Sequence, residues 1–402
     1  MTASQSAQGR NFTVFLIFIA ILGAFSSLVN DMYLPTIPAM RREFHTTASM
    51  TQLGLTMAML GMGLGSVVWG SLSDRYGRKP MLVWSLALFV VATGVSVFSR
   101  TITFFIICRL FQGIGAGGAM VLSYSIPTDL YSGRSLAKVM AIVGAINGVA
   151  PAGAPMIGGA MTDSVGWRGI FVVLLAIGVG MLLWSLRRPE SLAPAKRIKG
   201  QSLREYLRAY GVLMHNGRFM LYVVLKAVGI GMLYAYISSA PFIIQDRYGF
   251  SAGAFGLILG ANAIAIALGS MAVMRFKVLK HGLITGTVVM SVFGVGLAAV
   301  LFAGKGIGMY EVMAVPMLLG SGMVFSGANS LSMEAGRSDA GTASAILNVV
   351  KYVFAGAVAP LVGLGDIMRS SGIAFVVIAV LAIAITFAIG RLTPLAEMNV
   401  KS

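Results

Sequence analysis

Residues 70–80 read Gly70-Ser71-Leu72-Ser73-Asp74-Arg75-Tyr76-Gly77-Arg78-Lys79-Pro80, set between two long apolar runs. A short, charged, glycine-punctuated turn joining two membrane-length segments suits a tight cytoplasmic loop. Gly70 and Gly77 are expected to let two helices approach closely. Arg75, Arg78 and Lys79 hold the loop on the cytoplasmic side. Asp74 is suited to cap a helix start or to pair with an arginine. The apolar character spreads outward from this loop over the whole chain. Of 402 residues, 57% are hydrophobic and 11% charged, with a mean hydropathy of +0.87. Soluble domains carry about 25% charged residues. This chain cannot hide so much apolar surface in one water-soluble core, so it reads as an all-α membrane protein crossing the bilayer many times.

A helix needs about 20 apolar residues, rising 1.5 Å each, to cross about 30 Å of hydrocarbon. Breaking the chain at charges and Gly/Pro clusters predicts twelve spans, at 13–34, 50–72, 81–98, 102–125, 136–161, 169–187, 219–241, 252–274, 282–303, 308–332, 341–363 and 372–391. The one long polar stretch, 188–218, divides them six and six. The expected domains are a bundle over 1–187, a cytoplasmic linker over 188–218 and a bundle over 219–402. Residues 202–214 suit a short amphipathic helix on the membrane surface. With both termini cytoplasmic, 20 of the 30 Lys and Arg fall on the inner side and 7 on the outer side. That asymmetry predicts an N-in, C-in topology. Two halves of six suggest pseudo-symmetric repeats around a midplane site.

The formal net charge of +17 invites a nucleic-acid reading, but the basic residues sit mostly in loops, where they set orientation, and no nucleic acid is expected as partner. The lone Cys108 lies in an apolar span and reads as a small hydrophobe. His45, His215 and His281 make no metal-ligand spacing, so no metal and no cofactor are expected. No soluble catalytic domain or catalytic constellation is present, which argues against an enzyme. The first apolar run follows Arg10 as a signal peptide would, yet it is membrane-length and lacks a cleavage site, so it is read as a retained span.

Ionisable groups inside spans are costly and usually functional. Asp31 is placed as the only acid well within a span, near its outer end, with Pro35 ending or kinking the helix. It suits a protonation site; an interfacial cap is the plainer alternative. Arg109, in the fourth span with Gln112, stays charged and needs a partner or a cavity. Lys226 sits where it could snorkel, whereas Lys351 is mid-span. Asn30, Tyr33, Gln112, Tyr234, Tyr236, Asn262, Phe325, Asn329 and Tyr352 are candidates to furnish a pocket with these charges. Three positives against one negative predict neutral, zwitterionic or anionic cargo in preference to a dication.

Gly70 to Pro80 resembles the loop signature between the second and third helices of the major facilitator superfamily. Arg109-Leu110-Phe111-Gln112-Gly113 resembles the fourth-helix motif of its proton-coupled members. Val149 to Gly159, with Pro151, Pro155, Gly158 and Gly159, is similar to its antiporter motif, although Ala154 replaces the usual glycine. Asp31-Met32-Tyr33-Leu34-Pro35, Ser239-Ala240-Pro241-Phe242 and Gly341-Thr342-Ala343-Ser344 resemble the bicyclomycin-resistance (Bcr/CflA) branch of drug/proton antiporters. The resemblance implies twelve helices in two bundles in a bacterial inner membrane, working as a monomer. It implies proton coupling through Asp31 and Arg109, gating through Gly70, Asp74, Arg75, Gly77 and Arg78 with the fifth-helix prolines and glycines, and export of drugs or similar small molecules. The partners expected are the cargo, protons and the lipid bilayer. Transport of a specific metabolite, such as a nucleoside, amino-acid or sugar derivative, stands as the alternative.

Overall fold

The computed structural model describes residues 3–197, 211–337 and 340–392. Among them the chain is helical, with no strand. The helices are α1 (Ala3–Asp31), α2 (Ile37–Glu43), α3 (Ala48–Tyr76), α4 (Arg78–Val97), α5 (Ile102–Leu130), α6 (Gly133–Leu186), α7 (Gly217–Pro241), α8 (Ala252–Ala272), α9 (Leu279–Phe302), α10 (Ile307–Ala335), α11 (Ala340–Leu361) and α12 (Ile367–Leu392). Eleven helical stretches are long and apolar enough to cross a membrane. The longest, α6, has 54 residues, about 80 Å at 1.5 Å each and far more than one crossing needs. It is broken at Gly166, with φ 62° and ψ −174°, a conformation essentially confined to glycine. Counting its two arms separately gives twelve spans. The loop expected between 161 and 169 is thus a single-residue break. Gly166→Ala should cost about 1–3 kcal/mol, read as a lower unfolding midpoint of the purified protein.

The exterior confirms the solvent. Trp84, Phe98, Leu183, Val292 and Phe387 stand exposed, while Arg109, Gln112, Lys226 and Asn262 are buried. A lipid-facing surface reverses the usual partition in this way, because lipid tails are as apolar as the side chains they meet and polar groups facing them are costly. Local sequence sets several starts. Thr101, Asn216 and Ser251 accept hydrogen bonds from the backbone of Phe104, Phe219 and Ala254 at α5, α7 and α8, satisfying otherwise orphaned donors. Helix α1 ends at Asp31, and a 3-10 turn over Leu34–Thr36 precedes α2, as Pro35 predicts. The expected amphipathic helix falls largely outside the described residues, at 202–210.

The chain divides into two compact units. One holds Met1–Thr36 with Met57–Gly200, the other Ile37–Thr56 with Gln201–Ser402. Residues 37–56 therefore group with the second half. Within that unit Arg41 and Arg42 both pair with Asp246, at 3.1 and 3.0 Å, and Gln52 donates to the Ser238 carbonyl at 2.7 Å. In the first unit α4 packs on α5 and α6, and α1 on α6 and α5. In the second, α10 packs on α9, α8 and α7, and α12 on α9 and α7. The two units repeat one packing device. A Cβ on Gly113 of α5 would strike the Ala58 carbonyl of α3, and one on Gly322 of α10 would strike the Ile266 carbonyl of α8. Gly115 meets the backbone of Ser85 and Phe89 on α4, as Gly320 meets that of Gly286 and Met290 on α9. Small residues that let backbones touch are how helices associate in lipid.

Candidate functional site

Arg109 is the largest fully buried side chain described, with no exposed surface. Its Nη1 donates to Gln112 Oε1, and its Nη2 donates to the Val29 carbonyl at 3.1 Å. Its guanidinium lies 4.4 Å from the Tyr33 ring centroid and 5.6 Å from that of Phe171. Gln112 Nε2 donates to Thr93 Oγ1 at 2.8 Å, and Thr93 Oγ1 donates to the Phe89 carbonyl at 2.6 Å. One buried polar chain thus ties α5 to α1 and α4. The Val29 carbonyl belongs to the last turn of α1, where carbonyls lose their intrahelical partners. Basic groups are favoured there because the helix dipole is negative. Arg109 therefore grips the chain on both sides of Asp31, which is half-buried as the last residue of α1.

Neighbouring candidates complete this end of α1. Asn30 Nδ2 points at Met62 Sδ at 3.3 Å. A Cβ on Gly158 of α6 would strike the Met32 carbonyl, so that glycine seats α6 beside Asp31. Pro151 and Pro155 lie inside the same helix, where each removes a backbone donor. Gly159 is buried there too.

The loop at 70–80 is built differently from its expected form. A Cβ on Gly70 would make only ordinary contact with Val121, the nearest at 3.6 Å, so close packing does not require glycine there. Gly77 is required by its backbone, at φ 108° and ψ 155°, and by the Glu190 carboxylate pressed against it. Arg78 is the hub. It pairs with Asp74, with Asp129 Oδ2 at 2.8 Å, and with Ser73 Oγ at 2.8 Å. Arg75 is exposed and lies against the Tyr76 ring, 5.4 Å from its centroid. The start of α4 is capped from 112 residues away. Glu190 accepts from the Arg78 amide at 2.9 Å and the Lys79 amide at 3.2 Å.

In the second unit the candidates fall into two groups. Lys226 is buried, and its Nζ donates to Asn329 Oδ1 at 2.7 Å beside the Phe325 ring. Lys226 therefore does not snorkel to the interface. Lys351 lies over the Tyr352 ring, 5.0 Å from its centroid. The other group joins Tyr236, Asn262 and a residue the sequence reading missed, Glu311 of α10. Asn262 Nδ2 lies 2.6 Å from the Tyr236 hydroxyl and 2.8 Å from Glu311 Oε2. Tyr234 is half-buried on α7. Asp31 is thus not the only acid inside a span. Glu311 falls within the tenth span, so the spans hold two carboxyl groups beside the three basic side chains.

The sequence profile of the Major Facilitator Superfamily matches residues 19–360. The chain belongs to this superfamily. It is a multi-pass membrane transporter. It is 32% identical over 377 residues to the MFS-type transporter YdgK of Bacillus subtilis, covering 91% of this chain and 92% of that one. It is 33% identical over 246 residues to a chloramphenicol resistance protein of Pseudomonas aeruginosa, covering 60% and 57%. It is 26% identical over 236 residues to the multidrug resistance protein MdtL of Escherichia fergusonii, covering 58% and 59%. Among solved structures, a bacterial homologue of the human lysosomal transporter Spinster matches with TM-score 0.76 and 16% identity over 94% of this chain and 97% of that one. The xylose transporter XylE of E. coli matches with TM-score 0.71 and 16% identity over 95% and 98%. At such identity these two structures speak for the fold alone.

Two further residues of the transporter's loop network escaped the sequence reading. Asp129 follows an in-helix proline at the end of α5, and Glu190 is an acid inside the basic linker. Glu190 is visible as an acid among basic neighbours and Asp129 only as an acid two residues after a helix proline, and the partner of each is set by the fold. Removing the cap with Glu190→Ala should lower the stability of the transporter by about 1 kcal/mol, seen as an earlier unfolding midpoint in detergent.

Proposed function

We propose that the chain is a proton-driven exporter of small, drug-like molecules in a bacterial inner membrane, with both termini cytoplasmic and a monomer as the working unit. The observation that carries this reading is Arg109, fully buried and bound on both flanks of Asp31 through Val29 and Tyr33. A permanent cation held there can balance the Asp31 carboxylate whenever its proton leaves. Asp31 is then the coupling acid. Proton release from Asp31 on the inner side accompanies cargo binding, and proton uptake from the outer side accompanies cargo release. Each inward proton supplies about 2.3 kcal/mol per 100 mV, plus the pH term.

The names of two relatives, a chloramphenicol resistance protein and a multidrug resistance protein, support drug-like cargo. Lys226, Asn329, Phe325, Lys351 and Tyr352 supply cationic, amide and aromatic contacts in the second unit, and we assign them to cargo. Arg78, with Asp74, Asp129 and Glu190, acts as a latch on the cytoplasmic side, Gly77 providing its turn. Pro151, Pro155, Gly158 and Gly159 shape the helix that bears on α1.

Cells lacking other exporters test the reading. Expression of the chain should lower chloramphenicol accumulation, and an uncoupler that collapses the proton gradient should erase the difference. Accumulation raised by expression would favour an importer.

A further inference from the structure

Glu311 is the fifth residue of α10, one turn inside a membrane-length helix. Its two carboxyl oxygens differ. Oε2 accepts from Asn262 Nδ2 at 2.8 Å, whereas Oε1 is buried with no hydrogen-bond partner. Among the described residues no lysine, arginine or histidine contacts the carboxyl. The titratable groups gathered around it are tyrosines. Tyr236 comes from α7, where it shares Asn262 with Glu311. Tyr310 is the preceding residue, its ring 6.2 Å from those of both Tyr236 and Tyr248. Tyr248 is held from the turn after α7, its hydroxyl donating to the Lys305 carbonyl at 2.7 Å. Arg247 is the residue before Tyr248. The remaining titratable groups on α9, α11 and α12, namely Lys280, His281, Lys351, Tyr352, Arg369 and Arg391, make no described contact with the carboxyl.

A buried carboxylate needs a cation or several donors to hold its charge, and the alternative open to it is to bind a proton. One amide donor and a wall of aromatic rings provide neither requirement. We propose that Glu311 is a second proton-binding carboxyl, carried by the second unit, with the proton on Oε1. On protonation an O–H bond forms at Oε1 and the charge falls from −1 to 0, while Oε2 keeps its bond from Asn262. Release returns the proton to water and the charge to the carboxylate. The Tyr248–Lys305 bond places the group near the loops at 248–251 and 303–306, so water at that end of the bundle is the proton source. This inference rests on reading the chain as proton-driven. It assigns the transporter a proton site beyond Asp31.

Infrared spectroscopy of the purified full chain, grown with glutamate carrying ¹³C in its side-chain carboxyl, tests this directly. A protonated-carboxyl band should be present at neutral pH and should move to lower frequency with the label. Glu311→Gln should remove it, Asp31→Asn should retain it, and Glu311→Asp should make it insensitive to the label. The labelled wild type reports the protonation state even where a variant fails to fold. Absence of a label-sensitive band at neutral pH, or its survival in Glu311→Gln, overturns the proposal. Loss of proton-driven export in Asp31→Asn is read separately, so failure of either claim leaves the other standing.

Discussion

Asp31→Asn should abolish uphill, proton-driven transport while leaving exchange of cargo across the membrane. Asparagine matches the carboxyl in size, and its neutral amide resembles a permanently protonated acid. The variant therefore removes the titration and leaves the packing of α1 against Arg109 and Gly158 in place. Proteoliposomes separate the two activities. Counterflow with equal pH on both sides reports exchange, and accumulation against a gradient reports coupling. The expected result is counterflow close to wild type, with accumulation reduced at least tenfold, equivalent to about 1.4 kcal/mol of lost drive. Full accumulation in Asp31→Asn would remove Asp31 from the coupling mechanism.

Replacement of Arg109 should have the larger structural effect. Its guanidinium bonds Gln112 and the Val29 carbonyl while lying over the Tyr33 ring. Lysine keeps the charge but lacks the planar fork that meets three partners at once. Hydrogen bonds to charged groups contribute about 1.5–3 kcal/mol each, so Arg109→Leu should cost roughly 3 kcal/mol or more. It leaves Gln112 and a helix-end carbonyl without their donor. Arg109→Lys should fold, unfold earlier than wild type, and lose most transport. The unfolding midpoint and the transport rate, measured on the same preparation, check both parts. A lysine variant with wild-type transport would show that charge alone suffices and that the bidentate geometry is incidental.

Much of this molecule is readable from its residues alone. The spans are legible because a bilayer demands about 20 apolar residues at a stretch, and that demand leaves its mark residue by residue. Asp31 and Arg109 stand out because a charge in an apolar run has no local explanation. What depends on distant partners is not legible. Gly77 has the look of a packing glycine, but its place follows from a positive φ and from Glu190, a contact across more than a hundred residues. Gly70 carries the same expectation, yet its surroundings admit a methyl group. The loop expected near 161–169 shrinks to Gly166 alone, because one glycine conformation suffices to end one span and begin the next. Glu311 is easily passed over although it lies inside the expected tenth span. One turn from a helix end, an acid reads as interfacial; only Asn262 and Tyr236, from two other helices, show that it is enclosed.

The central claim is that inward proton flow drives cargo outward. Everted membrane vesicles containing the chain test it most directly, with labelled chloramphenicol outside and a proton gradient imposed across the membrane. Acidifying the vesicle interior should drive accumulation of the drug inside, and dissipating the gradient should release it. Accumulation that persists without the gradient, or drug that leaves together with the protons, would contradict the account.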